Sequence, residues 1–370
     1  MLEEEVINKK KYLYHKLRKD IQNHKYQHMT PLPPEVEFAR QLGVSRTTLR
    51  EALKCLENEG MLLRLPSKGT FVQMGKKEAE IKTYMILVRD NVNETYSANA
   101  IIPGIQNVAL TAGKKIEICY IEHIEAISYD KDTIGKLNKE IAGVFMFGGR
   151  YTGREKRIRL LQMAEIPVVM CSCYAEDINI TGFAGVRVDR RQAWKDTVLA
   201  LKKYGYKRIL SVGNEEGIIQ GFNNDLQSYT DFLKAEGIYN KKFLKFVPYK
   251  YEAIKNLLIE IMEMKEVPEV IMAHSDFYAI NFYKAADELA INIPNDIAIM
   301  GFSGYSAGRL LNPPLATVDS NFFEMGRDAM DLMLRASEWF EQSNPPDILI
   351  PHKIIMRKSA MKNKIDNGMP

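Results

Sequence analysis

Two arginines and two threonines lie within five consecutive residues near the N-terminus, Arg46-Thr47-Thr48-Leu49-Arg50. Cationic side chains neutralise phosphates, and arginine and threonine can also reach base edges in the major groove of DNA. If this segment begins a helix, the free N–H groups of its first turn can bind anions as well. The helix dipole does not stabilise cations at that end, so their presence there indicates an anionic partner. The chemistry indicated is binding of a polyanion, and we expect that polyanion to be DNA.

A helix is predicted to carry these residues. Leu49, Ala52, Leu53 and Leu56 recur at helical spacing, so one side of the segment can be buried. Ser45 is a suitable N-cap and Gly60 a suitable stop for this helix. The segment Glu35–Leu42 predicts a shorter helix, which Gly43-Val44-Ser45 joins to the longer one. This order is typical of the helix-turn-helix, whose second helix enters the major groove.

The sequence after Gly60 predicts a two-stranded ribbon. Met61–Leu65 and Thr70–Val72 are the expected strands, and Pro66-Ser67-Lys68-Gly69 is a basic, glycine-bearing tip. Residues 12–23, with Leu13, Leu17 and Ile21 on one stripe, predict an additional first helix. The alternative is an ordinary helical hairpin with a solvated charged face. The ribbon in this position, a "wing", favours DNA binding.

Residues 10–73 resemble the winged-helix domain of the GntR family of bacterial transcription factors. The resemblance is carried by Leu32–Ala39, Leu42–Leu53, Glu59-Gly60 and Lys68–Val72. It implies DNA contacts from Arg46, Thr47, Thr48 and Arg50, with Gly69 in the minor groove. The full set of expected DNA-binding residues is Glu35, Ser45, Arg46, Thr47, Thr48, Arg50, Lys68 and Gly69. Val36 stands where the family usually has arginine, so we expect one contact to be missing.

The charge of the chain is unevenly distributed. Of its 370 residues, those up to Lys77 hold 15 Lys and Arg against 9 Asp and Glu, and the rest hold 36 against 38. Phosphate neutralisation requires positive charge in the N-terminal part, where it is found. The sequence has no apolar run approaching the roughly 18 residues of a membrane span, and its first residues do not follow the order of a signal peptide. The sequence therefore predicts a cytoplasmic protein.

Beyond residue 81 the sequence pattern changes. Short apolar segments typical of strands alternate with helical patterns, as in parallel sheets that are covered on both faces. The predicted strands lie near Tyr84–Val88, Ile116–Ile121, Gly143–Phe147, Val168–Cys171, Ala184–Val188, Arg208–Val212, Leu244–Val247, Val270–Ala273 and Ile297–Gly301. The clearest helical patterns are residues 97–113, Ala193–Tyr204, Leu226–Glu236, Ala253–Met264 and Tyr278–Ala290. This many strands requires two sheets, with ligands expected at the carboxyl ends of the strands.

Residues 81–358 resemble the effector domains of LacI/GalR repressors. The resemblance is carried chiefly by Ser275-Asp276, Asp287–Phe302, Pro313–Val318 and Val186–Asp189. A GntR-type head on such a body is similar to the arabinose-repressor subfamily. This implies an α/β protein with an N-terminal winged helix-turn-helix and a two-lobed, periplasmic-binding-protein-like domain with three crossovers. The expected boundaries are 1–74 for the DNA-binding domain, 75–81 for a linker, 82–358 for the ligand-binding domain and 359–370 for a polar tail.

The resemblance also implies a cleft lined by the loops after the strands, where polar side chains and aromatic rings suit a polyhydroxylated ligand. The expected ligand-binding residues are Tyr96, Arg150, Asp189, Arg190, Asp225, Asp276 and Phe302. Two departures leave the ligand open: Asp225 stands where the family commonly has arginine, and Ser303 where it has aspartate. Two alternatives also stay open, because Arg150 can be simply solvated and Asp276 can cap a helix.

No cofactor, metal or catalytic constellation is predicted. Cys171-Ser172-Cys173 lacks a second pair of ligands at suitable spacing, and buried thiols at a strand end are the expectation. Residues 213–221 lack the Gly-Lys-Ser/Thr ending of a phosphate-binding loop. The resemblance to LacI-type regulators implies a homodimer and a ligand in the cleft. With no catalytic pattern, the sequence predicts a non-enzymatic transcription regulator, a repressor of operator DNA gated by a small sugar or sugar-derived effector. The competing hypothesis is a sugar-modifying enzyme that carries a DNA-binding domain.

Overall fold

The computed structural model describes residues 12–21, 25–26, 30–59, 61–65, 68–72, 82–89, 97–215, 226–342 and 344–361. The chain divides into two units, Met1–Ile81 and Lys82–Pro370, here called the head and the body. None of the described helices is both long enough and apolar enough to cross a membrane.

The described residues of the head form three helices and a two-stranded ribbon. The helices are α1 (residues 12–21), α2 (Glu35–Leu42) and α3 (Arg46–Asn58), and the antiparallel strands are β1 (Leu62–Leu65) and β2 (Gly69–Val72). The predicted apolar stripes meet in one core that includes Leu17, Phe38, Leu49 and Leu56. Gly43 adopts a φ of 67°, the left-handed conformation that ends α2 and lets the chain turn into α3. The predicted helix-turn-helix and wing are confirmed.

The first lobe of the body is built on a parallel sheet. Its strands are β3 (Thr83–Val88), β4 (Ile116–Tyr120), β5 (Ile141–Phe147), β6 (Val168–Cys171), β7 (Ala184–Arg187) and β13 (Asp347–Leu349). Their spatial order is β13-β7-β6-β5-β3-β4. The helices of this lobe are α4 (Ala98–Thr111), α5 (Ile121–Ala126), α6 (Lys131–Glu140), α7 (Lys156–Met163) and α8 (Ala175–Thr181). The strand predicted to reach Ile121 is one residue shorter, because Ile121 begins α5.

The second lobe has a sheet of the same size. Its strands are β8 (Ile209–Gly213), β9 (Leu244–Phe246), β10 (Val270–Ala273), β11 (Ala298–Ser303), β12 (Ala316–Asp319) and β14 (Lys353–Ile355), in the order β14-β12-β11-β10-β8-β9. Among the described strands of this sheet, only β14 runs antiparallel to its neighbour. The remaining helices are α9 (Arg190–Lys203), α10 (Leu226–Ala235), α11 (Tyr251–Met262), α12 (Asp276–Glu288), α13 (Phe322–Leu334) and α14 (Ala336–Trp339). The two parallel sheets predicted for the body are confirmed.

The chain passes between the lobes three times, as the resemblance implied. It crosses from β7 to β8 through α9, from β12 to β13 through α13 and α14, and directly from β13 to β14. The strands β12, β13 and β14 were not predicted from the residue pattern, since they are only three or four residues long. Ser359 is the first residue of the expected polar tail. Ser359 is fully buried, and its hydroxyl donates to the Ile299 carbonyl oxygen.

Helix α13 packs directly against α4 through two glycines. A Cβ added at Gly326 would overlap the carbonyl oxygen of Ile101, and one added at Gly104 would overlap that of Phe323. Both obstacles are backbone atoms, so they can yield only if the helices separate. The close approach of α4 and α13 therefore depends on the absence of side chains at these positions.

Gly326→Ala is expected to lower the free energy of unfolding of the body by about 1–3 kcal/mol or more, because overpacking forces the two helices apart. Urea unfolding followed by circular dichroism measures this. The matched control is Gly135→Ala in α6, where a Cβ would meet nothing within 4 Å. That change should stabilise by about 0.4–1 kcal/mol. Equal midpoints for the Gly326→Ala variant and the parent would contradict the argument.

Candidate DNA-binding and effector sites

The N-terminal end of α3 presents the predicted DNA-binding side chains. Arg46, Thr47 and Arg50 are exposed, whereas Leu49 between them is fully buried in the core of the head. Ser45 caps the helix, since its hydroxyl oxygen accepts a hydrogen bond from the Thr48 N–H at 3.1 Å. The Thr48 hydroxyl lies 2.7 Å from the same oxygen. Ser45 and Thr48 therefore build the first turn of α3, and the other three side chains face outward.

Glu35, the first residue of α2, joins α3 to the wing. Its Oε2 accepts hydrogen bonds from Arg50 Nε at 3.1 Å and Nη2 at 2.8 Å, and its Oε1 accepts one from Arg64 Nη2 at 3.3 Å. The wing reaches this position because the Leu32 N–H donates to the Thr70 carbonyl oxygen. The hydrogen bond from Arg50 lowers the pKa of Glu35, so Glu35 is ionised at neutral pH. Glu35, predicted only as a DNA contact, thus holds Arg50 in place.

Glu35→Gln is expected to reduce the preference for operator over unrelated DNA by about two- to fivefold, which is the range of a partly exposed ion pair. Arg50 loses its anchor, so its geometry toward a base edge is less defined. The lost negative charge should at the same time strengthen non-specific binding slightly. Fluorescence anisotropy with operator and scrambled duplexes measures both effects.

The control for Glu35→Gln is Glu37→Gln, which alters an exposed side chain of α2 whose described hydrogen bond is with Gln41. An unchanged preference in the Glu35→Gln variant would show that Glu35 does not position Arg50.

The wing tip agrees with the predicted pattern. Lys68 and Gly69 are both exposed, and Gly69 adopts a φ of 110° with open space where a Cβ would stand. A tip of this kind can approach a groove closely. Val36 is 60% exposed, so an apolar side chain occupies the surface position where the related domains usually carry arginine.

In the first lobe of the body, Asp177 organises the loops that follow β5 and β6. Its Oδ1 accepts from the N–H groups of Arg150 and Tyr151 at 2.8 and 2.9 Å, and its Oδ2 accepts from that of Tyr174 at 2.7 Å. Burial raises the pKa of Asp177, while these hydrogen bonds lower it. The side chain of Arg150 is exposed at this strand end. Asp177 is not among the residues predicted from the sequence, because two of the donors that its carboxylate meets are 26 and 27 residues away.

Asp189 and Arg190 begin α9 at the first crossover. Asp189 is the N-cap, and its Oδ1 accepts from the Gln192 N–H at 3.0 Å. Arg190 Nη2 donates to the Ser172 hydroxyl at 3.3 Å, and the Arg190 guanidinium lies over two rings, 5.6 Å from the centroid of Tyr174 and 5.8 Å from that of Phe302. Tyr174 follows β6 in the first lobe, and Phe302 is the penultimate residue of β11 in the second. Arg190 is therefore located between the lobes, at the carboxyl ends of strands from both sheets.

Phe302 belongs to a cluster of aromatic side chains. It stacks on Trp194 with ring centroids 6.0 Å apart, and Trp194 also contacts the rings of His274 and Tyr229. Tyr305 packs between Phe277 and Phe322. Apolar rings beside hydrogen-bonding groups are a usual lining for small-molecule sites. Tyr96 and Asp225, the other two predicted ligand residues, lie outside the described residues.

Asp276 is not exposed to the cleft. Its side chain is fully buried, its Oδ1 accepts from the Thr317 hydroxyl at 2.6 Å, and its Oδ2 accepts from the Tyr305 N–H at 2.7 Å. Burial raises the pKa of Asp276 to about 6, against the lowering effect of these hydrogen bonds. Nor does it cap its helix, since the cap of α12 is the Ser275 hydroxyl. The capping alternative is wrong, and ligand binding by Asp276 stays a prediction. In this structure its carboxylate supports the loops that follow β11 and β12.

Asp276→Ala is accordingly expected to destabilise the body by at least about 1–3 kcal/mol, because the buried donors of Thr317 and Tyr305 lose their acceptor. Thermal unfolding of the full chain measures this, with the exposed Asp287→Ala of the same helix as the control. A melting temperature equal to that of the control would contradict the supporting role.

The described residues contain no group of three or more His, Cys, Asp or Glu side chains placed to hold a metal ion. Cys171 and Cys173 are buried, as predicted, and burial raises the pKa of both thiols.

Two family descriptions match the chain. Residues 9–72 match "Bacterial regulatory proteins, gntR family", and residues 198–360 match "Periplasmic binding protein-like domain". The chain is 27% identical over 263 residues to the HTH-type transcriptional repressor CytR of Escherichia coli, covering 70% of this chain and 73% of CytR. It is 24% identical over 324 residues to catabolite control protein A of Priestia megaterium, covering 86% of this chain and 92% of that protein. These relatives are transcription regulators.

Solved structures show the same fold. A LacI family regulator from Enterococcus faecium, solved with bound ribose, has a TM-score of 0.61 at 18% identity and covers 76% of this chain and 100% of its own. A putative LacI regulator from Bacillus cereus subsp. cytotoxis has a TM-score of 0.59 at 21% identity, covering 75% and 98%. The chain thus joins a GntR-type helix-turn-helix head to a periplasmic-binding-protein-like body with the fold of LacI-family regulators.

Proposed function

We propose that this protein is a DNA-binding transcriptional repressor of the cytoplasm, gated by a small sugar or sugar-derived effector held between the lobes of its body. The observation that carries the proposal is the exposed set Arg46, Thr47 and Arg50 on the first turns of a capped helix, next to a basic wing. Relatives named as a repressor and as a catabolite control protein support the regulatory role. The stacked rings of Trp194 and Phe302 beside Arg190 support a small organic effector.

We propose further that the protein acts as a homodimer, so that two heads meet a palindromic operator. Strand β4 lies at the edge of its sheet and exposes Ile118 and Tyr120, and an edge with apolar side chains is usually covered by a partner. Sedimentation equilibrium of the full chain tests this, and a monomer at micromolar concentration contradicts it.

The experiment for DNA binding is selection of bound duplexes from a random pool, followed by anisotropy titrations at several salt concentrations. A palindromic consensus bound about a thousandfold or more tightly than unrelated DNA supports the proposal. Uniform, weak, strongly salt-dependent binding to all sequences would reduce the head to a general polyanion binder.

A further inference from the structure

None of the described acids forms an ion pair with Arg190. Its guanidinium is half-buried between the lobes, where its described contacts are one hydroxyl, that of Ser172, and the rings of Tyr174 and Phe302. Within the part of the chain that the structure describes, it forms no ion pair with a carboxylate. A guanidinium has five N–H donors, and contact with ring faces uses none of them.

Three described carboxylates at these strand ends, those of Asp189, Asp177 and Asp276, are directed elsewhere. Asp189, next to Arg190 in the chain, caps α9 through the Gln192 N–H. Asp177 accepts from three main-chain N–H groups, and Asp276 from the Thr317 hydroxyl and the Tyr305 N–H. These three acids therefore build loops rather than neutralise the cation. The described lining of the cleft thus offers a guanidinium and aromatic rings, with those carboxylates turned inward.

This arrangement favours one class of ligand. A sugar-binding site for neutral hydroxyls needs acceptors as well as donors, whereas Arg190 offers donors only. Arginine binds carboxylate and phosphate oxygens by charge-assisted, often bidentate hydrogen bonds, which are about twice as strong as neutral ones. A partly desolvated cation is also screened less by solvent than a surface one.

We propose that the effector is an anionic sugar derivative, whose carboxylate or phosphate pairs with Arg190 while its carbon skeleton packs on the Phe302 and Tyr174 rings. This inference rests on the proposed effector-gated function and specifies the chemistry of its cleft. Sugar acids and sugar phosphates share the required group, and the experiment separates them.

The test uses the full chain and three matched probes, glucose, glucuronate and glucose 6-phosphate, together with the corresponding pentose series and inorganic phosphate. Calorimetry and thermal shift at constant ionic strength measure binding. At least one anionic probe should bind about tenfold or more tightly than its neutral parent. The acid and phosphate arms identify which anion is preferred.

Arg190→Gln should remove this preference, reducing the anionic probe to the affinity of the neutral sugar. Arg190→Lys should restore part of it, since the charge returns without the bidentate geometry. The matched control is Arg159→Gln, which removes the same charge from an exposed position on α7 and should retain the preference. Phosphate that binds at the head binds the Arg190→Gln variant and the parent equally, because the substitution does not alter the head. Only the binding lost in the variant is therefore assigned to the cleft.

Two results overturn the inference. One is a neutral sugar that binds at least as tightly as its acid and phosphate. The other is that no anionic probe, inorganic phosphate included, shows binding that depends on Arg190. The proposed function fails separately, if an anionic ligand binds through Arg190 but leaves operator affinity unaltered.

Discussion

Replacing Arg46 by alanine is expected to weaken operator binding by about 5- to 150-fold, corresponding to roughly 1–3 kcal/mol for an arginine that reads a base edge. Arg46 is exposed in the first turn of α3, beyond the Ser45 cap, and a recognition helix contacts bases mainly through its N-terminal residues. The variant should keep its melting temperature, because the side chain leaves the core of the head untouched.

The measurement for Arg46→Ala is an anisotropy titration of labelled operator and of a scrambled duplex, in parallel with Lys68→Ala. Lys68 lies at the exposed wing tip, so its loss should weaken binding to all sequences similarly and flatten the salt dependence by about one phosphate contact. Arg46→Ala should instead lose the difference between operator and scrambled DNA. Operator binding equal to the parent would refute the assignment of α3 as the recognition helix.

The second large effect is the coupling between the cleft and the head. A ligand that binds one arrangement of the lobes more tightly than another shifts the population of those arrangements. Coupling free energies are typically about 1–3 kcal/mol, so a saturating effector should weaken operator binding by about 5- to 150-fold. Because coupling is reciprocal, operator DNA must weaken effector binding by the same factor.

Anisotropy with and without effector, and calorimetry with and without operator, measure the two halves of this coupling. The informative variant is Arg190→Gln, which should bind operator as the parent does yet lose the response to effector. Asp276→Ala is unsuitable, because its carboxylate supports the fold of the second lobe. Operator affinity that does not change with a ligand shown calorimetrically to occupy the body would refute the switch.

Local chemistry in the sequence was sufficient for the elements that carry the proposed function. The α3 stripe of Leu49, Ala52, Leu53 and Leu56, its Ser45 cap and the wing are short-range patterns, and all appear as predicted. The parallel body also follows from such patterns, because buried strands are apolar throughout and separated by helices. Helix bounds differ by a few residues, as at α9, which begins at Arg190 rather than Ala193.

The roles of the charged residues were decided only by tertiary structure. Glu35 meets Arg50 and Arg64 across 15 and 29 residues, and Asp276 meets Thr317 across 41. The residue type alone does not show whether a carboxylate contacts a ligand, a neighbouring arginine or a main-chain N–H. Which of these it meets depends on loops brought together by distant strands, and burial then sets its pKa. The sequence therefore indicated most of the strands and the longer helices, while the packing of those elements decided that Asp177 and Asp276 hold loops and that Arg190 lies between the lobes.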